Sequence, residues 1–431
     1  MKRIFPLVFL MVLGSGSYAQ FLMDMIDTTK ETGRGMLAVY KKFDHLRMGG
    51  YIQPQFQWAA EKGIKSYEGG DFAAKVNNRF MLRRARVRID YVHFGKETEP
   101  GVQIVFQFDG NERGFTVRDI WGRIFENNAQ LFSFTAGMFA RPFGYEVNLS
   151  SSDRESPERG RMSQILMRSE RDLGAMVSLD ARKKNHPLRY LKVDAGFFNG
   201  QGINAAGDFD NKKDFIGRVA LKPFPVNKQI TLSGGASILY GGLLQNTKYV
   251  YYTETVSSVK KSVVDSSAAN TDGYSPRKYY GADAQLKIKN RKGFTELRAE
   301  LITGTQTGTA GSSETPNVLV SGTDGFHIRN FNGAYFYLLQ HLGSEKYQLV
   351  LKYDWYDPNS KVLGKEISAA AALSAANIKY STFGAGLVYY MRENIKLVVY
   401  YANVRNEKTQ LPGFTEDIKD NVFTARLQFR F

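Results

Sequence analysis

The chain has 431 residues, a formal net charge of +16 at pH 7 and no cysteine. The absence of cysteine excludes disulfide bonds, a lipidated cysteine anchor and thiolate metal sites. A chain of this length forms several soluble domains or one large barrel. Its basic excess favours anionic solutes or lipopolysaccharide over nucleic acid as partners, and a spread-out charge that serves only solubility is the alternative.

The first residues have the pattern of a secretory signal peptide. Lys2 and Arg3 precede the apolar stretch Ile4–Leu13, and small residues around Ala19 suit cleavage by signal peptidase. We therefore expect residues 1–19 to be removed; a buried first helix is the alternative. No later stretch reaches the roughly 18 continuous apolar residues of a membrane helix.

Residues 20–47 lack clean periodicity and are expected to form an N-terminal periplasmic extension. Residues 48–431 then carry sixteen segments in which apolar and polar side chains alternate, as in strands with two different faces. Most have the roughly 9–11 residues that a tilted strand needs to cross a bilayer. The segments are 48–58, 80–92, 101–109, 115–125, 131–139, 173–182, 188–197, 214–222, 229–240, 278–289, 294–304, 333–342, 347–356, 379–391, 395–404 and 421–431.

The polar faces of these segments carry charges. Leu297 and Leu301 alternate with Glu296, Arg298 and Glu300. A soluble sandwich would point such a face to bulk solvent, whereas in a barrel it lines a watery lumen.

Connection lengths favour the barrel. Gaps after even-numbered segments are short and those after odd-numbered segments are mostly long, the exception being 110–114. The sequence therefore predicts an all-β, transmembrane antiparallel β-barrel of about sixteen strands, with short periplasmic turns and long extracellular loops. The Ser/Thr/Val-rich stretch Val250–Ser275 is expected to be a flexible loop, and aromatic runs such as Tyr335-Phe336-Tyr337 are expected at the membrane boundary.

The last residues, Asn421–Phe431, alternate strictly and place aromatic side chains on one face, which resembles the terminal strand of outer-membrane barrels. Further landmarks, taken together, resemble the phosphate-selective porin O and P family. The resemblance implies a trimeric sixteen-stranded barrel in the outer membrane, with the third long loop folded inward to narrow the pore. The landmarks are Gly50–Gln55, Arg83–Arg86, Gly137–Gly144, Phe198–Gly200 and Asp214–Val219.

The third long loop, residues 140–172, carries six arginines and six carboxylates. Arginine side chains suit phosphate and carboxylate because the guanidinium group can hold two oxygens at once. A solvated loop whose charges pair with one another is the alternative, and strand arginines could likewise pair with lumen acids. The candidate pore-lining, anion-binding residues are Arg84, Arg86 and Arg88 on the second strand, Arg141, Arg154, Arg159, Arg161, Arg168 and Arg171 in or beside the loop, and Arg218.

The sequence thus predicts an outer-membrane porin that passes small solutes with a moderate preference for anions such as phosphate. A structural or adhesive barrel acting through its external loops is the alternative. We expect no enzyme activity, because the five histidines lie in predicted turns, loops or strand ends and no G-x-S-x-G or H-E-x-x-H motif occurs. The expected partners are small anionic solutes, outer-membrane lipid, lipopolysaccharide and two further copies of the chain, with no cofactor, metal or nucleic acid.

Overall fold

The computed structural model describes residues 45–94, 99–205 and 207–431. The expected signal peptide and most of the expected extension, residues 20–44, lie outside these ranges. Among the described residues, eighteen strands are present, and sixteen of them form one closed antiparallel barrel. The first nine barrel strands are β1 Leu46–Ala59, β2 Asn78–Phe94, β3 Pro100–Asn111, β4 Gly114–Phe125, β5 Phe132–Ala140, β6 Arg171–Asp180, β7 Leu191–Phe198, β8 Asp214–Pro225 and β9 Ile230–Leu244.

The other seven barrel strands follow an external hairpin of two strands. The hairpin consists of β10 Val250–Val256 and β11 Val259–Asp265. The remaining barrel strands are β12 Tyr274–Asn290, β13 Gly293–Gly308, β14 Phe326–His341, β15 Tyr347–Asp357, β16 Tyr380–Arg392, β17 Ile395–Asn406 and β18 Val422–Arg430. The prediction of a sixteen-stranded barrel is confirmed, and each predicted segment overlaps one of these strands.

The barrel closes where its first and last strands meet. β1 pairs with β18 along a register that runs from Tyr51 opposite Arg430 to Ala59 opposite Val422. Each barrel strand otherwise pairs with its sequence neighbour, and β9 pairs with β12 past the hairpin. Closure leaves no open edge, so every strand can satisfy its backbone within the membrane.

The two faces of each strand differ as the alternation predicts. On β13, Leu301 is 50% exposed on the outside, while Glu300 is 2% exposed on the lumen side. Short connections such as 291–292 lie at one end of the barrel and long ones such as 141–170 at the other. We take the short-turn end as periplasmic, following the general organisation of such barrels.

Helices are few and short in the described ranges. One α-helix, α1 Arg161–Leu166, lies in the connection between β5 and β6. None of the helices described is long and apolar enough to cross a membrane. Single-turn 3₁₀ helices occur at Ala268–Asn270, Gly364–Glu366, Ala369–Ala371 and Ala375–Asn377.

Two local expectations are wrong. Val250–Ser275, expected as a flexible loop outside the strands, contains the β10–β11 hairpin, and β10 also pairs in parallel with the start of β14. The aromatic run in β14 lies in the middle of the strand rather than at its end. Tyr335 and Tyr337 are buried on the lumen side, and only Phe336 between them is exposed outside.

Candidate functional site

The connection between β5 and β6, residues 141–170, lies inside the barrel; we call it the inner loop. The hydroxyl groups of Ser156 and Tyr337 on β14 are 2.7 Å apart. The backbone N–H of Arg161 donates to Asp354 on β15 at 3.3 Å. β14 and β15 stand half-way around the barrel from β5 and β6, so the inner loop crosses the lumen.

The inner loop also reaches the wall formed by the two ends of the chain. The hydroxyl groups of Tyr51 on β1 and Ser151 are 2.5 Å apart. The ammonium group of Lys396 on β17 donates to the carbonyl oxygen of Ser152 at 2.6 Å. The side-chain amide of Gln428 on β18 donates to the same oxygen at 3.1 Å.

An apolar cluster within the lumen holds the inner loop in place. The ring of Phe143 meets that of Tyr279 edge to face, with centroids 6.0 Å apart. Gly333 on β14 leaves room for the thioether of Met162, because a Cβ atom there would lie 2.8 Å from the sulfur. Burial of such side chains removes apolar surface from water and fixes the loop. The buried apolar side chains of the loop are Phe143, Val147, Met162, Ile165, Leu166 and Met167.

Two carboxylates organise the first half of the inner loop. The Glu300 carboxylate on β13 accepts the backbone N–H of Tyr145 at 3.2 Å and that of Glu146 at 3.0 Å. The Glu146 carboxylate in turn accepts the hydroxyl of Ser163 at 2.6 Å and ion-pairs with Lys352. Burial disfavours the charge on Glu146, yet Lys352 and the hydrogen bonds from the Ser163 hydroxyl and the backbone N–H of Gly160 hold its pKa below the ordinary value.

Glu158 is a hub of three ion pairs between the inner loop and the barrel wall. Its carboxylate contacts Arg83 at 2.8 Å, Arg84 at 2.9 Å and Arg426 at 2.7 Å. Burial opposes ionisation, but the three guanidinium groups hold the pKa of Glu158 well below its ordinary value. Arg83 and Arg84 are adjacent on β2 and both contact Glu158, although neighbouring strand residues ordinarily point to opposite faces.

Seven of the ten candidate arginines are ion-paired with a carboxylate. Their partners are chiefly acids on the barrel wall or on other loops, so the loop charges do not merely neutralise one another. The pairs are Arg84 with Glu158, Arg86 with Asp109, Arg88 with Asp90, Arg159 with Glu170, Arg168 with Glu314, Arg171 with Asp119 and Glu170, and Arg218 with Asp283.

The other three candidates, Arg141, Arg154 and Arg161, have no carboxylate of the described ranges within ion-pair distance. Arg154 is 2% exposed, and burial with the nearby Arg84 lowers its pKa. Arg161 lies over the ring of Tyr380, 3.5 Å from its centroid. Arg141 donates to the carbonyl oxygen of Ser169. Anion binding by the ten candidates stays a prediction.

A cavity of about 400 Å³ lies beside the first half of the inner loop, towards the short-turn end of the barrel; we call it the chamber. Two of its cationic side chains are accessible: Arg88 and Lys192 are each 40% exposed, although they are ion-paired with Asp90 and Asp194. Arg171 and Arg218 are 15% and 12% exposed. Its carboxylates are hidden, since Asp119 is 4% and Asp194 7% exposed. The surface offered to a solute is therefore cationic. The charged lining residues are Arg88, Arg123, Arg171, Lys192, Arg218, Asp119 and Asp194.

Arg123 and Lys192 are chamber residues that sequence reasoning missed. The Nε atom of Arg123 donates to the hydroxyl of Thr135 at 2.8 Å, and no carboxylate of the described residues lies within ion-pair distance of this arginine. Its guanidinium carbon is 4.9 Å from the ring centroid of Trp121. The signal was present, because period two places Asp119, Trp121 and Arg123 on one face of β4.

A second cavity, of about 220 Å³, is lined by the second half of the inner loop and the long-loop end of β2. Its four arginines each pair with one of three glutamates that share the lining, so its charges are more nearly balanced. They are Arg83, Arg84, Arg159 and Arg168, with Glu158, Glu170 and Glu314. Across the residues that the structure describes, no group of three His, Cys, Asp or Glu side chains could hold a metal ion.

Comparisons with known proteins agree with this architecture. The family model "Phosphate-selective porin O and P" matches residues 323–431, whereas the landmarks that carried the resemblance lie before residue 323. The match with the solved high-pH structure of OprB from Pseudomonas putida covers 94% of this chain and 98% of the OprB chain, with 9% identity and a TM-score of 0.58. The outer-membrane channel DcaP of Acinetobacter baumannii covers 90% and 97%, with 12% identity and a TM-score of 0.53.

No curated protein sequence matches the chain. At such low identities the two structural likenesses show the fold, and the family match covers residues 323–431. Together with the closed barrel, they support an outer-membrane porin whose residues 323–431 are similar to the phosphate-selective porin O and P family.

Proposed function

We propose that this porin passes small solutes by passive diffusion with a moderate preference for anions, phosphate among them. The observation that carries the proposal is the chamber, in which the side chains of Arg88 and Lys192 are much more exposed than those of Asp119 and Asp194. Rings of arginine and lysine favour anions in a pore because they replace part of the hydration that the anion loses.

The preference is moderate because most of the positive charge is already compensated. Arg218 makes a bidentate pair with Asp283, at 2.6 and 3.1 Å, and Arg171 contacts two carboxylates. Such paired groups attract a passing anion less than free ones do. The remaining positive field comes from Arg123, which has no carboxylate partner in the described chain, and from Arg88 and Lys192. These two are ion-paired with Asp90 and Asp194 but are more exposed than those acids.

We further propose the parts of the protein that support this role. Residues 1–19 act as a signal peptide, 20–47 form a periplasmic extension and 48–431 form the barrel. Three copies assemble, as the family resemblance implies, and the outer surface contacts lipid and lipopolysaccharide. The protein has no catalytic activity, since the barrel and the family match favour a channel.

A reversal potential in a planar bilayer tests the proposal. Purified protein is inserted between solutions of unequal KCl concentration, and the voltage at zero current reports which ion is more permeant. We expect a potential that favours chloride, with stepwise conductance in groups of three. A potential that favours potassium contradicts the anion preference, and an absence of conductance favours a structural barrel.

A further inference from the structure

The chamber combines its cationic groups with an apolar surface. Trp121, Phe139, Leu149 and Met176 belong to its lining, as does Tyr145 of the inner loop. A volume of about 400 Å³ also falls within the range of roughly 300–1,000 Å³ that is typical of sites for small organic molecules. The lining therefore offers apolar contacts and space that a compact inorganic anion cannot use.

The cationic and apolar parts of the lining adjoin each other. The guanidinium carbon of Arg123 lies 4.9 Å, and that of Arg88 5.8 Å, from the ring centroid of Trp121. A carboxylate bound to either arginine would hold the rest of its molecule beside the indole ring. A flat ring in that place can stack on the indole or on a planar guanidinium group.

We propose that the chamber binds small organic anions that carry a flat apolar ring in preference to inorganic phosphate and to aliphatic carboxylates of equal charge. The proposal deepens the anion preference proposed above and rests on it. Phosphate satisfies the cations but leaves in water the apolar lining that is still partly exposed, chiefly at Tyr145 and Leu149. An aromatic carboxylate satisfies the cations with one end and covers apolar surface with the other.

Block of the chloride current tests the proposal with three probes. Benzoate and acetate carry the same carboxylate and charge and differ in the ring, and phosphate is the inorganic reference. We expect half-block of the chloride current by benzoate at a concentration roughly tenfold lower than by acetate or phosphate. Equal half-block concentrations for benzoate and acetate overturn the proposal.

A pair of tryptophan substitutions locates the site. In Trp121→Leu, the ratio of the acetate to the benzoate half-block concentration should fall towards one; because both probes act on the same channel, a change in conductance cancels. Trp58→Leu is the matched control, since Trp58 is exposed on the outer face of β1 and should keep the wild-type ratio. A ratio unchanged in Trp121→Leu contradicts the chamber as the site.

The wild-type ratio decides the proposal even if Trp121→Leu does not fold. The reversal potential, measured on the same channels, distinguishes failure of the ring-selective chamber from failure of the anion preference. Chloride preference with equal half-block concentrations defeats the ring-selective chamber alone. Potassium preference defeats the proposed anion preference itself.

Discussion

Replacement of Glu158 by glutamine removes the charge that three arginines share at the edge of the inner loop. Arg83, Arg84 and Arg426 then lose their ionised partner while the shape of the side chain is kept. Removal of one partner from a buried ion pair costs about 3–5 kcal/mol. Whether the loop leaves the lumen depends on what else holds it there.

The apolar anchors of the inner loop outweigh that cost. Six apolar side chains of the loop are at most 4% exposed. Full burial contributes about 1.5–3 kcal/mol for each, and so up to about 9–18 kcal/mol together, counted against a fully extended chain. We therefore expect Glu158→Gln to leave the loop inside the barrel and to change ion selectivity through the electrostatic potential in the pore.

The expected result of Glu158→Gln is a stronger chloride preference with nearly unchanged single-channel conductance. Reversal potential and conductance are measured on the same channels, and Glu416→Gln is the matched control, because the Glu416 side chain is 76% exposed in the β17–β18 connection. A large rise in conductance would show that the loop has been released. An unchanged reversal potential would show that Glu158 has no influence on the ions that pass.

Lowering the pH should not reproduce the effect of Glu158→Gln on selectivity. The pKa of Glu158 lies well below its ordinary value because the three guanidinium groups overcome the effect of burial. Its ionised form therefore stabilises the loop at neutral pH, and this contribution is lost only as the pH falls through the lowered pKa. Lowering the bath from about pH 7 to about pH 5 should leave the wild-type loop paired. A change of selectivity equal to that of Glu158→Gln over this range would contradict the assignment.

Three further substitutions extend these tests. Burial raises the pKa of Asp420 from 3.8 to about 6, so the folded protein binds an extra proton between these pH values. Asp420→Asn should therefore raise the thermal unfolding temperature at neutral pH. This gain should vanish below pH 3.8. Gly333→Leu should push Met162 and loosen the inner loop, seen as larger and noisier single-channel currents, and quiet currents would contradict the packing. Arg123→Gln should shift the reversal potential towards potassium, whereas Lys261→Gln on the exposed hairpin should not.

Period-two alternation explains why the barrel could be predicted from the sequence. Each membrane strand must present one face to lipid and one to the lumen. The alternation within a single segment such as Asn421–Phe431 is therefore enough to predict a strand. The alternation is weaker outside the membrane, where neither face has to be apolar. The β10–β11 hairpin was missed for that reason.

The apolar part of the lumen escaped prediction because β14 is apolar on both faces. Its central residues, Ala334–Leu339, carry no polar alternation, which is typical of a strand buried on both sides. The sequence therefore contained a signal that something packs against the inside of β14. It did not identify the packing partner, because that partner is the inner loop, which lies far from β14 in the sequence.

The pairing of the candidate arginines depends on contacts across the whole barrel. Glu158 and Arg426 are far apart in sequence, and no local pattern sets their register. Arg83 and Arg84 both contact Glu158, although the alternation from which the lumen face was read places them on opposite faces. By contrast, Arg123 could have been found, because it lies on the same face of β4 as Asp119.

A solute inside the barrel should meet a positive electrostatic potential, and thiol modification measures this potential directly. The chain has no cysteine, so Asn148→Cys places a single thiol at an exposed position of the chamber lining, and Ser258→Cys at the hairpin tip is the external control. Anionic and cationic methanethiosulfonates of similar size are applied to each variant. We expect the ratio of anionic to cationic reaction rates to be larger at position 148 than at position 258. An equal or smaller ratio at position 148 would contradict a cationic chamber.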